Sequence, residues 1–326
     1  VRHSERDEVE RKISDPVRHS NERTMTDTLL DRLNRLKRAR NAVILAHNYQ
    51  RAEVQDAADY VGDSLGLSRQ AAKTTADVIL FCGVDFMAET AAILCPGKRV
   101  LVPDLHAGCP MANMVTARDL RELKAQHPQA LVVCYVNSSA EVKAESDVCC
   151  TSANAVQVLQ RLPEDKEIIF VPDRSLGEYA AGKAGRKVIL WPGYCPTHHR
   201  ILAEDVRKAR AEHPGAEVVV HPECTSDVVA LADHVASTTG ILRVCRESAA
   251  AEFIIGTEIG LLHRLRKENP AKRFYPASPR ADCPNMKINT LEKMVWSLEE
   301  MNYPITVPEP IAAKARLAIQ RMLDVA

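Results

Sequence analysis

The sequence predicts an α/β fold of three homologous three-layer αβα domains, each with a short parallel sheet, arranged with pseudo-threefold symmetry around a central active site. Three observations carry that expectation. One pattern recurs 86 to 88 residues apart, opening at His47 in HNYQ, at Tyr135 in YVNS and at His221 in HPEC. Twelve residues after each opening stands an aspartate, Asp59, Asp147 or Asp233, and five residues later a hydroxyl, Ser64, Ser152 or Thr238. About sixty residues from each opening comes a cysteine, Cys109, Cys195 or Cys283. Self-similarity at a fixed period marks a repeated structural unit. Apolar runs alternating with helical periodicity mark parallel sheets covered on both faces.

The elements follow in chain order. Residues 1–25 are polar, rich in Arg, Glu and Ser, and bury too little apolar surface to offset the entropy of ordering, so they are expected to form a flexible extension. The first domain is expected over 26–115. Leu29, Leu30, Leu33 and Leu36 share one helical face over 27–40, and a buried strand follows over 42–46. A helix over 64–73 and strands over 78–81 and 100–102 complete the unit before Cys109. The second domain, 116–201, repeats this with a helix over 117–127, a strand over 131–135, a helix over 152–162 and strands over 168–171 and 188–191, before Cys195. The third, 202–326, has a helix over 203–213, a first strand over 218–220 and a third strand, the weakest, over 273–275. Helices beyond Thr290 are expected to pack back on the body. Even the punctuation recurs, as His127-Pro128 and, 86 residues later, His213-Pro214.

Length and composition narrow the function. A chain of 326 residues, 46% hydrophobic and 26% charged, supports two or three compact domains. Basic and acidic side chains balance at 43 each, so no net field draws the molecule to nucleic acid or a membrane. Small-molecule partners are the expectation. No long apolar run reads as a transmembrane helix, and the charged N-terminal stretch does not read as a secretory signal, so the expected compartment is the cytoplasm. Ten cysteines in a reducing compartment then point to metal binding or chemistry before disulfides. Cys82, Cys134 and Cys245 lie in apolar runs and read as small core residues. Cys95, Cys149, Cys150 and Cys224 read as structural too.

Side chains alternate along a strand, so the first and third residues of each opening face the same way. His47 with Tyr49, Tyr135 with Asn137, and His221 with Glu223 therefore supply six convergent polar groups at strand carboxyl ends, where ligands gather in parallel α/β sheets. Any one of them alone reads as an ordinary strand-end residue; recurrence at matched offsets favours a site. Ser64, Ser152 and Thr238 lie at or near expected helix starts, which favour anions such as carboxylates or a phosphate. Structural zinc wants four ligands, usually in closely spaced pairs, and three distant cysteines suit it poorly. A four-iron four-sulfur cluster takes one cysteine per iron. With three, one iron keeps an open position and acts as a Lewis acid.

The motifs LAHNYQ at Leu45, DAADYVGDSLGL at Asp56, GVDFMAET at Gly83, AGCPMA at Ala107, YVNSSAEVKA at Tyr135, TSANAV at Thr151, PDRSLGEY at Pro172, HPEC at His221 and IGTEIGLLHRL at Ile255 resemble, in order, those of the quinolinate synthase family, the A protein of bacterial NAD biosynthesis. The similarity runs from about Asp27 to the C-terminal helices. The resemblance implies condensation of iminosuccinate with dihydroxyacetone phosphate to quinolinate, phosphate and water. It implies a 4Fe-4S cluster on Cys109, Cys195 and Cys283, and a functional link to the oxidase that supplies iminosuccinate. The family's substrate contacts fall on His47, Ser64, Tyr135, Asn137, Ser152, His221, Glu223 and Thr238. Glu223, with Tyr49, His47 and His221, is the candidate set for proton transfers, and His198, three residues after Cys195, lines the site or shields the cluster. Some family members carry extra cysteines where Ala277 and Arg280 stand here, so no disulfide switch is expected beside Cys283. The polar stretch before Asp27 also exceeds that of the shorter members. An iron-sulfur electron carrier or redox sensor, and a metal-independent α/β enzyme with structural cysteines, are the alternatives from other classes.

Overall fold

In the computed structural model, which describes residues 29–325, three parallel sheets share one strand order. The first contains β1 (Ala42–His47), β2 (Tyr60–Gly62), β3 (Val78–Cys82) and β4 (Arg99–Leu101), ordered β2-β1-β3-β4. The second, from β5 (Leu131–Tyr135), β6 (Val148–Cys150), β7 (Ile168–Val171) and β8 (Ile189–Leu190), runs β6-β5-β7-β8. The third, from β9 (Glu217–Val220), β10 (His234–Val235), β11 (Glu252–Gly256) and β12 (Arg273–Pro276), runs β10-β9-β11-β12. Helices flank every sheet. The central strands are nearly continuous apolar runs, buried along almost their whole length, as strands covered on both faces must be.

Each sheet has four strands where the sequence led us to expect three. The additional one is the edge strand β2, β6 or β10, only two or three residues long and without an apolar run to announce it. The repeated aspartate puts it in place. Asp59, Asp147 and Asp233 each stand just before the edge strand, and each carboxylate accepts the backbone N–H of a residue fifteen positions earlier on the central strand. The partners are Ile44 at 2.9 Å, Val132 at 2.8 Å and Val218 at 2.7 Å. In return each aspartate N–H donates to the carbonyl of that same residue. Three repeat aspartates are therefore sheet clips, and a hydrogen bond to a charged group contributes about 1.5–3 kcal/mol.

Helix boundaries match the expectations closely at Ser64–Lys73, Ala117–Gln126 and Ala203–Glu212. The helix expected from Ser152 instead begins at Ala155, because the Asn154 side chain folds back to accept the Thr151 N–H at 2.8 Å and closes a turn there. The expected extension over 1–25 lies outside the described residues. The closing helices pack on the first two sheets. Leu291–Glu300 buries Leu291, Met294, Val295 and Leu298 with Ile44, Ala46 and Leu80. Glu309–Val325 buries Ala312, Ala315, Ala318, Ile319 and Met322 and packs on the helix Ala140–Ala144 and on β6. Among the described residues no helix is long and apolar enough to cross a membrane.

Candidate active site

In every sheet the order reverses between its first and third strands in sequence, and the chain leaves these two strands in opposite lateral directions. That reversal opens a crevice beyond the strand carboxyl ends. The three crevices give onto one cavity of about 120 Å³. Lining it are the strand-end residues His47, Tyr49, Tyr135, Asn137, His221 and Glu223, the hydroxyl residues Ser64, Ser152 and Thr238, the cysteines Cys109, Cys195 and Cys283, and His198. Every candidate site residue named from the sequence thus borders the same space. The hydroxyls differ from expectation in one respect. Ser64 and Thr238 are first helical residues, and capping is done by their predecessors: Asp63 accepts from the Gly66 N–H and Ser237 from the Gly240 N–H. The hydroxyls are thereby released for the cavity.

Burial sets the protonation pattern. It is the main cause that lowers His47 and His221 to about 3, so both rings are neutral at ordinary pH. Their tautomers follow from the backbone. His47 Nδ1 accepts the Tyr49 N–H at 3.2 Å, and His221 Nδ1 accepts the Glu223 N–H at 3.3 Å. Each ring must then carry its proton on Nε2. For His221 that proton is donated to Ser152 Oγ at 3.1 Å.

Glu223 is the electrostatic centre. Burial works against its ionisation, but the His198 ring, with Nδ1 at 2.7 Å, and the Tyr135 hydroxyl, donating at 2.5 Å, hold the carboxyl below the usual range. Burial first, and the Glu223 charge second, push the Tyr49 and Tyr135 phenols and the Asp173 carboxyl well up. The same His198 Nδ1 lies 3.2 Å from Cys195 Sγ, and its Nε2 lies 2.9 Å from the Thr257 hydroxyl. Thr257 Oγ1 shares a second hydrogen bond with the Tyr49 hydroxyl at 2.6 Å. Tyr49, Thr257, His198 and Glu223 form one connected polar chain.

Each of the three cysteines is followed by proline, at Pro110, Pro196 and Pro284. Proline suits the first position of a turn, and the backbone N–H three residues after each cysteine, at Ala112, His198 and Met286 respectively, favours the thiolate. Cys95-Pro96 has the same dipeptide, yet its thiol bonds Ala71 O at 3.1 Å and stays in the core. Burial pushes Cys109 up to about 12, Cys195 well up and Cys283 up. Neighbouring sulfurs add to the rise, Cys283 acting on Cys109 and Cys109 on Cys195. Three soft donors facing one cavity, with no fourth cysteine on its wall among the described residues, fit an iron-sulfur cluster with one iron not held by cysteine. Cys195, His198 and Glu223 also have ligand atoms within 4.8 Å of one another. There, however, the histidine and the carboxylate already satisfy each other.

The family described as quinolinate synthetase A protein matches residues 31–324. The chain belongs to the quinolinate synthetase A family. It is similar to the quinolinate synthase of Methanoregula boonei, 58% identical over 301 residues, 92% of this chain and 99% of that one. It is likewise 56% identical to the quinolinate synthases of Methanosarcina barkeri, over 91% of this chain and 97% of the relative, and Geobacter metallireducens, over 92% and 98%.

For this member of the quinolinate synthetase A family, sequence reasoning passed over Asn48, Thr257 and Glu258. Thr257 and Glu258 follow β11, where the other units carry Gly83-Val84 and Pro172-Asp173, so no recurrence flags them. Glu258 ties the third cysteine loop: it accepts from the Cys283 N–H at 3.1 Å and the Gly260 N–H at 2.8 Å, and pairs with Lys287 Nζ at 2.8 Å. The Cys-Pro dipeptides were a further signal in the sequence.

Proposed function

We propose that this chain condenses iminosuccinate with dihydroxyacetone phosphate to form quinolinate, phosphate and water, as a step of NAD biosynthesis. The observation that carries the reading is the meeting, in one cavity, of one strand-end pair, one hydroxyl and one cysteine from each of the three repeats, taken here as units 26–115, 116–201 and 202–326. Relatives that span nearly the whole chain bear the name quinolinate synthase. Cys109, Cys195 and Cys283 would hold a 4Fe-4S cluster, whose open iron would supply Lewis-acid stabilisation to a substrate oxygen.

The chain's own groups do the rest. Ser64, Ser152, Thr238 and the NH2 of Asn137 hold the carboxylates of iminosuccinate; the buried Asn137 Oδ1, an acceptor with no protein partner, is left to an N–H or O–H of the ligand. His47 offers its Nε2–H to an oxygen of the condensing pair. Glu223, ionised at the end of that polar chain, takes the proton when the triose or an intermediate tautomerises, with Tyr135 and His198 against its oxygens. Tyr49 and His221 lie within the same network, and a neutral phenol and imidazole exchange protons without placing a bare charge in a buried site. The deep cavity walls exclude water from a hydrolysable imine. An oxidase acting on an amino dicarboxylate must supply that imine.

The test is quinolinate formation by anaerobically purified protein given dihydroxyacetone phosphate and freshly generated iminosuccinate. The reading expects product that disappears once the protein has been exposed to air. Protein that holds a full complement of iron and sulfide and yet forms no quinolinate would overturn it.

A further inference from the structure

We propose that Arg264 and Asn48 are positioning residues that fix the Thr238 hydroxyl as a hydrogen-bond donor to a substrate carboxylate. The proposal deepens the functional reading above and rests on it for the identity of the carboxylate. Asn48 is fully buried, immediately after His47 and outside the cavity wall. Arg264, on the helix Leu261–Glu268, donates through Nη1 to Asn48 Oδ1 at 2.9 Å and to the Val61 carbonyl at 2.7 Å. A guanidinium has donors and no acceptor, so the amide must turn its oxygen toward Arg264 and its NH2 the other way. That NH2 meets Thr238 Oγ1 at 2.9 Å.

The direction of the last bond follows. Thr238 Oγ1 accepts from Asn48, so its own hydrogen must point elsewhere. Ser237 already caps the helix, and Thr238 borders the cavity. The free hydrogen is therefore a donor available to a bound oxyanion. The arginine's charge polarises the amide and, through it, the hydroxyl. Its guanidinium meanwhile remains at the contact between the first and third sheets, and the cavity gains a strengthened neutral donor without a fixed cation. Ser152 reaches the same state by another device, since His221 Nε2–H occupies its lone pair. Asn48 has no counterpart in the other units, where Val136 and Pro222 follow the opening residue.

A purely structural reading would have Arg264 and Asn48 merely tie two sheets together. Asn48→Asp separates the two. An aspartate accepts from Arg264 at least as well as the amide does, so the tie survives. Toward Thr238 it presents an acceptor, and the hydroxyl turns to it and is lost to the ligand. Quinolinate and succinate are titrated calorimetrically into anaerobic, cluster-loaded wild-type protein, Asn48→Asp, Thr238→Val and the double variant, with thermal unfolding recorded for each. We expect Asn48→Asp to unfold at the wild-type temperature and to bind both dicarboxylates at least about tenfold more weakly, as loss of one hydrogen bond to a charged group requires. In the Thr238→Val background the same exchange should cost nothing further. Wild-type affinity in Asn48→Asp overturns the proposal. So does a loss that persists in the Thr238→Val background, which would be plain charge repulsion, and so does a wild-type protein that binds neither dicarboxylate. Should Asn48→Asp fail to fold, Arg264→Met frees the amide to rotate; it must weaken both ligands, and unchanged affinity again overturns the proposal. A wild-type protein that binds succinate but forms no quinolinate defeats the functional reading and leaves the succinate arm to decide the relay.

Discussion

Glu223 keeps its charge in a buried cavity because two donors, His198 and Tyr135, hold its oxygens at 2.7 and 2.5 Å. Glu223→Gln preserves the shape and removes the proton acceptor. Turnover should fall by about 10²–10⁴-fold, the usual worth of a positioned acid or base, while iron and sulfide content stay at the wild-type level. Unchanged turnover would remove Glu223 from proton transfer. By contrast, Cys109→Ala, Cys195→Ala or Cys283→Ala should each abolish the brown chromophore and quinolinate formation together and leave the far-ultraviolet circular dichroism of the fold intact; retained activity would favour structural cysteines. At this scale the sequence was informative wherever a residue recurs. His47, Tyr135 and His221 occupy one position of the repeat, as do Ser64, Ser152 and Thr238 and the three cysteines. Asn48, Thr257 and Glu258 have no polar counterpart at matched offsets in every unit, and only the assembled crevice reveals what they touch.

Among the elements, long apolar runs and helical faces were legible, and β5 and β7 begin and end where expected. The edge strands β2, β6 and β10 were not, because a strand of two or three residues carries no period. What stabilises them is the aspartate clip, a contact fifteen residues back along the chain. Asp147→Ala should lower the unfolding free energy by about 1.5–3 kcal/mol, the worth of a hydrogen bond to a charged group, with quinolinate formation by the folded fraction unchanged. A second link joins the first cysteine loop to a closing helix. Asp104 accepts from Lys293 Nζ at 2.7 Å, and although burial acts the other way, Lys293 and His106 bring the Asp104 carboxyl down to about 2. A carboxyl depressed in the folded state contributes stability above its unfolded value of about 4, and that contribution is lost as pH falls toward the folded value. Lys293→Met should therefore narrow the stability difference between neutral pH and pH near 2 in denaturant titrations. An unaltered acid limb would show that the pair contributes nothing.

At the level of the whole molecule, three similar units each place one cysteine at a shared centre, and the C-terminal helices bind the first two sheets together. Ala315 is fully buried on the last of them. Ala315→Asp forces an unpaired charge into that contact, and it should lower the midpoint of chemical unfolding and reduce the yield of folded protein. A wild-type midpoint would mean that the helix is dispensable for the fold. The repeat made the threefold arrangement readable from spacing alone. It could not reveal that the closing helices leave the third sheet and cover the other two, since apolar faces announce burial and not the partner that buries them. The central claim is that the three repeat cysteines hold one cluster with one iron free for the substrate. The Mössbauer spectrum of anaerobic, iron-57-labelled protein, taken with and without quinolinate, tests it most directly. The account predicts a four-iron cluster in which one iron site alone shifts when quinolinate is added. A single mononuclear iron, or a cluster whose sites all ignore the ligand, would contradict it.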